Sequence, residues 1–185
     1  MIPRPRPGDY SDYFDGYVAR VPDGDVLQGL RNQRARTAAI VRGAGEENGD
    51  YAYADGKWSV KRLLLHVADG ERMFCYRAMC IARGDQQQLP SFDENAYAAL
   101  DGSASRTLSS VVDEYESVRA ATLTLFEGLD DDAWSRRGSA NGAPVTVASL
   151  PWIVLGHDLH HCAMLSERYG LGPYVAGSPE DQASS

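Results

Sequence analysis

One stretch restricts the fold more than any other: "LSSVVDEYESVRAATLTLFEGL", residues 108–129. Leu108, Val111, Val112, Tyr115, Val118, Thr122, Leu125 and Leu129 recur at i, i+3, i+4 and i+7. Only a helix gathers such positions onto one side, and that side must be covered by another element. Three more segments carry the same period. The first runs from about Asp25 to Arg42, with Val26, Leu30, Thr37, Ile40 and Val41 on one side. The second follows Ser59 and reaches about Arg83, with Val60, Leu64, Val67, Phe74, Ala78 and Ile81 as its stripe. Ser59 suits an N-cap, Trp58 and Leu63 can form a hydrophobic staple, and Gly84 is a stop. The last begins between Thr146 and Leu150 and ends near Tyr169-Gly170, with Pro151 tolerated best in a first turn.

Four amphipathic helices in 185 residues predict an all-α protein, a four-helix bundle with its own core. The connection from Asp85 to Ser105 is long enough for a crossover, which would let the second and third helices run parallel. Its apolar and aromatic residues predict a packed segment rather than a disordered one. "YAYADGKW" and "APVTV" alternate too briefly to stand as strands and fit loops or caps as well. Residues 1–22, opening "MIPRPRPGDY", read as an extended N-terminal arm on the surface or pinned to it. The bundle is expected over 23–176, with a frayed, disordered tail over 177–185.

Composition excludes several classes of function. The net charge of −8, without a basic run, opposes binding to nucleic acid or to an anionic membrane. No apolar run is long enough to span a bilayer, and the N-terminus lacks the apolar core of a signal peptide. Cys75, Cys80 and Cys162 have no disulfide-framework spacing; they are expected to be reduced, small buried side chains of a cytoplasmic protein.

The chain has four histidines, and three fall in "GHDLHHCAML". On a helix His157 and His161 share a face, one turn apart, and the row through Leu150, Val154 and Met164 turns that face inward. His160 falls to one side. The i, i+4 pair alone reads first as two core-edge histidines hydrogen-bonded to neighbours; it is also a known grip for one transition metal. His66 lies beside the apolar stripe of the second helix. A bundle draws ligands from facing helices, so a third imidazole from there would build a three-histidine site open to water or substrate. Asp69, one turn on, could orient an imidazole or a bound water, or face solvent. Glu71 and Arg77 are further candidates, each as easily an ordinary surface or helix–helix charge.

"GKWSVKRLLLHVADGERMFCYRAM", "ARGDQQQLPSFDENAYAAL" and "GHDLHHCAMLSERYG" together resemble the DinB/YfiT-like superfamily, and the likeness runs through most of the chain. The resemblance implies a four-helix bundle of up-down-down-up topology, often a homodimer. It implies a divalent metal, zinc or nickel, on one histidine of the second helix and an HxxxH pair of the fourth, which map to His66, His157 and His161. Known activities in the family include transfer of bacillithiol-like thiols to electrophiles and mycothiol-dependent isomerisation, and other members are named metal-dependent hydrolases. The first expectation is thus a metal-dependent thiol S-transferase acting on a small molecule, with a low-molecular-weight thiol as co-substrate. A non-catalytic metal- or ligand-binding bundle of a stress response is the second, and a metal-dependent hydrolase the third.

Overall fold

The computed structural model describes residues 1–172; the expected tail lies outside the described residues. The bundle helices are α2 (Val26–Gly43), α3 (Val60–Ala82), α5 (Leu108–Glu127) and α7 (Leu150–Glu167), with a short helix α1 (Asp15–Val18) before them and short helices α4 (Glu94–Ala99) and α6 (Asp131–Trp134) between them. Side-chain oxygens start three of the four. Asp25 accepts from the Leu27 and Gln28 amides, Ser59 from Arg62, and Thr107 from Ser110. α7 begins differently, with Pro151 in its first turn.

α3 and α2 each pack against both α5 and α7, so the helices ring the core in the order α2, α5, α3, α7. Cross-helix pairs give the directions. From α3 to α5, Arg72 meets Glu114 and Cys75 meets Thr122, both numbers rising, so these helices are parallel. From α2 to α5, Arg31 meets Glu127 while Arg42 meets Asp113, so these are antiparallel. His66 lies against His161, and Phe74 against His157, so α7 opposes α3. The topology is up-down-down-up, and the connection between α3 and α5 is the crossover.

A small sheet accompanies the bundle. β1 (Gln88–Leu89) pairs parallel with β2 (Arg137–Ala140), which pairs antiparallel with β3 (Ala143–Thr146). "APVTV", expected to be as readily loop or cap, is therefore mostly strand. The hairpin turns on Asn141 (φ 51°) and Gly142 (φ 73°), the positive-φ pair of a two-residue turn. The strands are too short for a period-2 signal, and the turn dipeptide is the informative feature.

Residues 1–22 are pinned, and partly helical rather than extended throughout. Ile2, Tyr10, Val18 and Val21 are buried in the core. The Arg4 guanidinium lies 4.7 Å from the Trp152 ring centroid and donates to the Val18 carbonyl at 3.0 Å. α1 packs on α7, and this changes the character of that helix. Expected to be amphipathic, α7 is buried continuously from Leu150 to Leu159, because α1 covers the face that four helices alone would leave open.

Candidate metal centre

Every position from Leu150 to Leu159 on α7 is buried, so polar side chains there need partners. Asp158 and His157 face opposite ways. Asp158 accepts from Tyr115 Oη at 2.6 Å, Thr37 Oγ1 at 2.8 Å and Arg119 Nη2 at 2.7 Å. Arg119 is itself sealed from solvent, clamps Glu71 through two 2.8 Å bonds and donates to the Leu30 carbonyl at 3.0 Å. These contacts join all four bundle helices at one level. Asp158 and Arg119 escaped the sequence reading. Both carried a signal: a lone acid in the apolar run of "LPWIVLGHDL", and an arginine in register with Tyr115, Thr122 and Phe126 on the inner face of α5.

On the other side of α7, His157 and His161 meet His66 of α3. His157 Nε2 lies 3.0 Å from His66 Nε2 and 3.1 Å from His161 Nε2. Glycine makes the approach possible: a Cβ at Gly70 would stand 3.0 Å from His157 Cε1. The Tyr17 ring packs edge-on against His157 (5.4 Å between centroids), and Trp58 lies 4.8 Å from His66.

Protons do not account for this cluster. Each Nε2 offers one in-plane position, occupied by a hydrogen or a lone pair. His157 Nε2 therefore cannot make two good hydrogen bonds to two other ring nitrogens. Burial drives the imidazoles toward the neutral form. His66 is pushed down to about 4 by burial and then by His160, and His157 and His161 fall well below the ordinary imidazole range from burial and then from neighbouring imidazoles. Neutral imidazoles with converging lone pairs are what a transition metal requires. Two nitrogens each about 2.1 Å from an ion lie about 3.0–3.4 Å apart at bond angles of about 90–109°, close to the observed separations. His161 Nδ1 is buried without a partner among the described residues, so no acceptor there fixes the tautomer or raises the basicity of that ring. The donor set thus fits a divalent ion on three histidines.

The three rings open into a cavity of about 520 Å³ walled by Tyr10, Tyr13, Phe14 and Tyr17 of the N-terminal segment, by Phe74 and Arg77 of α3, and by the β2–β3 hairpin. His160 lies beside the triad rather than in it: half-buried, it lines the cavity with its ring 5.3 Å from Tyr17 and 4.9 Å from His161. Asp69 accepts from Arg72 at 3.0 Å and hydrogen-bonds to no histidine among the described residues. Glu71 belongs to the buried Arg119 network rather than to the surface. Arg77 is buried within the cavity wall, not a surface or helix–helix charge. The cysteines are all free, with Cys162 buried and Cys75 and Cys80 half-buried.

A bundle with an inward-facing three-histidine cluster at the bottom of a cavity defines a class of helical proteins equipped to hold a metal ion. Residues 30–165 match the DinB superfamily, and the chain belongs to it. A protein of Geobacillus thermodenitrificans named as a candidate metal-dependent hydrolase is 24% identical over 131 residues, 69% of this chain and 72% of the relative. Among solved structures, YfiT from Bacillus subtilis, described as a candidate metal-dependent hydrolase with an unusual four-helix bundle topology, is similar at a TM-score of 0.66 and 21% identity, covering 91% of this chain and 94% of that one. A mycothiol-dependent maleylpyruvate isomerase is similar at a TM-score of 0.69 and 16% identity, over 89% of this chain and 67% of its own. Likeness at these identities shows the fold. No helix among the described residues is long and apolar enough to cross a membrane.

Proposed function

We propose that His66, His157 and His161 hold one divalent ion, zinc or nickel, and that the protein uses it to transfer a low-molecular-weight thiol to a small electrophile. The observation that carries the reading is the gathering of three imidazoles, with His157 Nε2 at 3.0 and 3.1 Å from the Nε2 atoms of His66 and His161, on the wall of a cavity. When bound there, the ion would supply Lewis acidity, lowering the pKa of a thiol or of water that joins it. The chain's own residues do the rest. With only three protein ligands, a bound ion would remain open to a further atom from a substrate. The aromatic wall of Phe14, Tyr17 and Phe74 keeps bulk water from the reacting groups and gives an apolar electrophile a surface to lie on. In the balanced reaction the thiol loses its proton, its sulfur bonds to the electrophilic carbon, and the displaced group or adjacent carbon takes up a proton. None of the three cysteines lines the cavity, so the thiol must come from outside the chain.

Hydrolysis is the second reading, favoured by the names of the Geobacillus and Bacillus relatives. The same site would then activate water, and no thiol would be needed. Metal content of purified single variants tests the site. His66→Ala, His157→Ala and His161→Ala should each lose most of the ion, while His160→Ala retains it. Loss in His160→Ala with retention in His161→Ala would overturn the ligand assignment. Conjugation of a chromogenic electrophile, assayed with and without added bacillithiol or mycothiol, separates transfer from thiol-independent hydrolysis.

A further inference from the structure

Arg77 is only 6% exposed, and among the described residues no carboxylate forms an ion pair with it. Its Nη2 donates to the Pro90 carbonyl at 2.9 Å, its Nε is buried without a partner, and its Nη1 has none among the described residues. The contrast with Arg119, equally buried but matched by Glu71 and Asp158, is direct. Burial alone lowers the Arg77 pKa; no neighbouring charge offsets it. The Phe74 ring, 5.9 Å from the guanidinium carbon, compensates it only weakly; a buried cation without a counter-charge is costly, and an anion entering from outside would relieve that cost.

What could complete it must enter by the cavity that Arg77 lines. Among the described residues that cavity holds one other formal charge, Glu94, which is exposed and makes no ion pair with Arg77. It also holds His66 on the same helix. Eleven residues separate the two, about three turns, so both project from one face of α3 some 16 Å apart along its axis. Gly70 and Phe74 lie between them on the same wall. The cavity thus has a metal-binding end, an apolar middle and a cationic end.

We propose that Arg77 is a specificity-determining residue for this site. It binds the carboxylate of an elongated small molecule whose reactive group lies at the three histidines. The proposal rests on the metal-site reading above. A carboxylate is favoured over a phosphate because one guanidinium in an otherwise apolar surround balances one negative charge. The planar ends of its fork match two carboxylate oxygens.

The test uses cobalt-loaded protein, in which thiol binding is read from the thiolate-to-cobalt absorption band. The probes are 6-mercaptohexanoate, 8-mercaptooctanoate and 11-mercaptoundecanoate, each against the alcohol of the same length. At the best-fitting length the acid should bind about tenfold tighter than the alcohol, or more. Arg77→Gln should erase that preference and leave the alcohol's affinity unchanged, and Arg77→Lys should retain part of it. Equal binding of acid and alcohol by the unsubstituted protein at every length overturns the proposal, even where Arg77→Gln fails to fold. A second arm needs no metal. 4-Phenylbutyrate, but not its amide, should give saturation-transfer NMR signals with metal-free protein and lose them in Arg77→Gln. If cobalt does not load and this arm succeeds, the metal reading fails and the anion subsite stands. If cobalt and thiols bind but neither arm prefers the acid, the reverse holds.

Discussion

Replacing Arg119 by methionine should be among the most damaging single changes in the chain. The guanidinium makes two bonds to Glu71, one to Asp158 and one to the Leu30 carbonyl, with all three charged groups at most 1% exposed. Methionine fills much of the volume but donates nothing. Glu71 loses both its charge-assisted bonds and is left unpaired. Asp158 fares better, because Tyr115 and Thr37 still donate to it at 2.6 and 2.8 Å. Breaking a buried pair from one side costs about 3–5 kcal/mol, most of it here at Glu71. For a protein of this size that lowers Tm by about 6–20 °C. Arg119→Met combined with Glu71→Met removes the stranded charge and should recover most of the loss. Chemical denaturation followed by far-UV circular dichroism measures both. A loss below about 1 kcal/mol for the single variant, or no recovery in the double, would show that water reaches the network and that it does not tie the helices together.

Other perturbations give equally definite expectations. A Cβ at Gly156 would fall far inside contact distance of the Tyr17 carbonyl, a backbone atom, so Gly156→Ala should destabilise by about 1–3 kcal/mol and speed limited proteolysis before Val21. Gly16→Ala, with open space around the new methyl, is the control and should leave both unchanged. Burial pushes the Cys75 thiol up to about 12, against a small opposing effect of Thr122, and Cys162 up to about 11. Since the thiolate is the reactive form, Ellman's reagent at pH 8 should titrate at most one of the three cysteines quickly and all three after denaturation. Fast reaction of three in the native state would contradict that burial. Stripping the metal with EDTA should lower Tm by about 5–11 °C, the equivalent of about 2.7 kcal/mol for a ligand at a hundredfold its Kd. Helicity at 25 °C should survive, because the core is apolar and independent of the ion. Unfolding on chelation would make the site a structural one.

The helices were legible because their signals are local. A stripe such as Val60, Leu64, Val67 and Phe74 requires a buried face whatever covers it, and caps such as Asp25 and Ser59 act within their own turn. The triad was legible for the same reason: two histidines share a helical face by spacing, and a third sits beside an apolar stripe. What lay hidden depends on partners distant in sequence. The positions of Arg119 and Asp158 point inward from their own helices, but that they pair with each other and with Glu71 appears only when α2 and α3 close around them. Arg77 looks ordinary until the segment around Pro90 and the N-terminal residues wall it in. The apolar run at the start of α7 signals burial on every side there, but that α1 is what covers the fourth side could not be read from α7.

The packing of α1 against α7 also has a consequence in time. His66 and His157 are separated by 91 positions, and the aromatic wall above them is carried by the first residues of the chain. Contacts within and between sequence neighbours close early, whereas those joining remote segments wait on the slow loss of chain entropy. The cavity therefore comes into being only when both extremities of the domain have found each other. On the ribosome, a nascent chain that has made α2, α3 and α5 still has only one of the three imidazoles. The three-histidine cluster thus waits on α7, and a nascent chain that stops short of that helix presents helices but no such cluster.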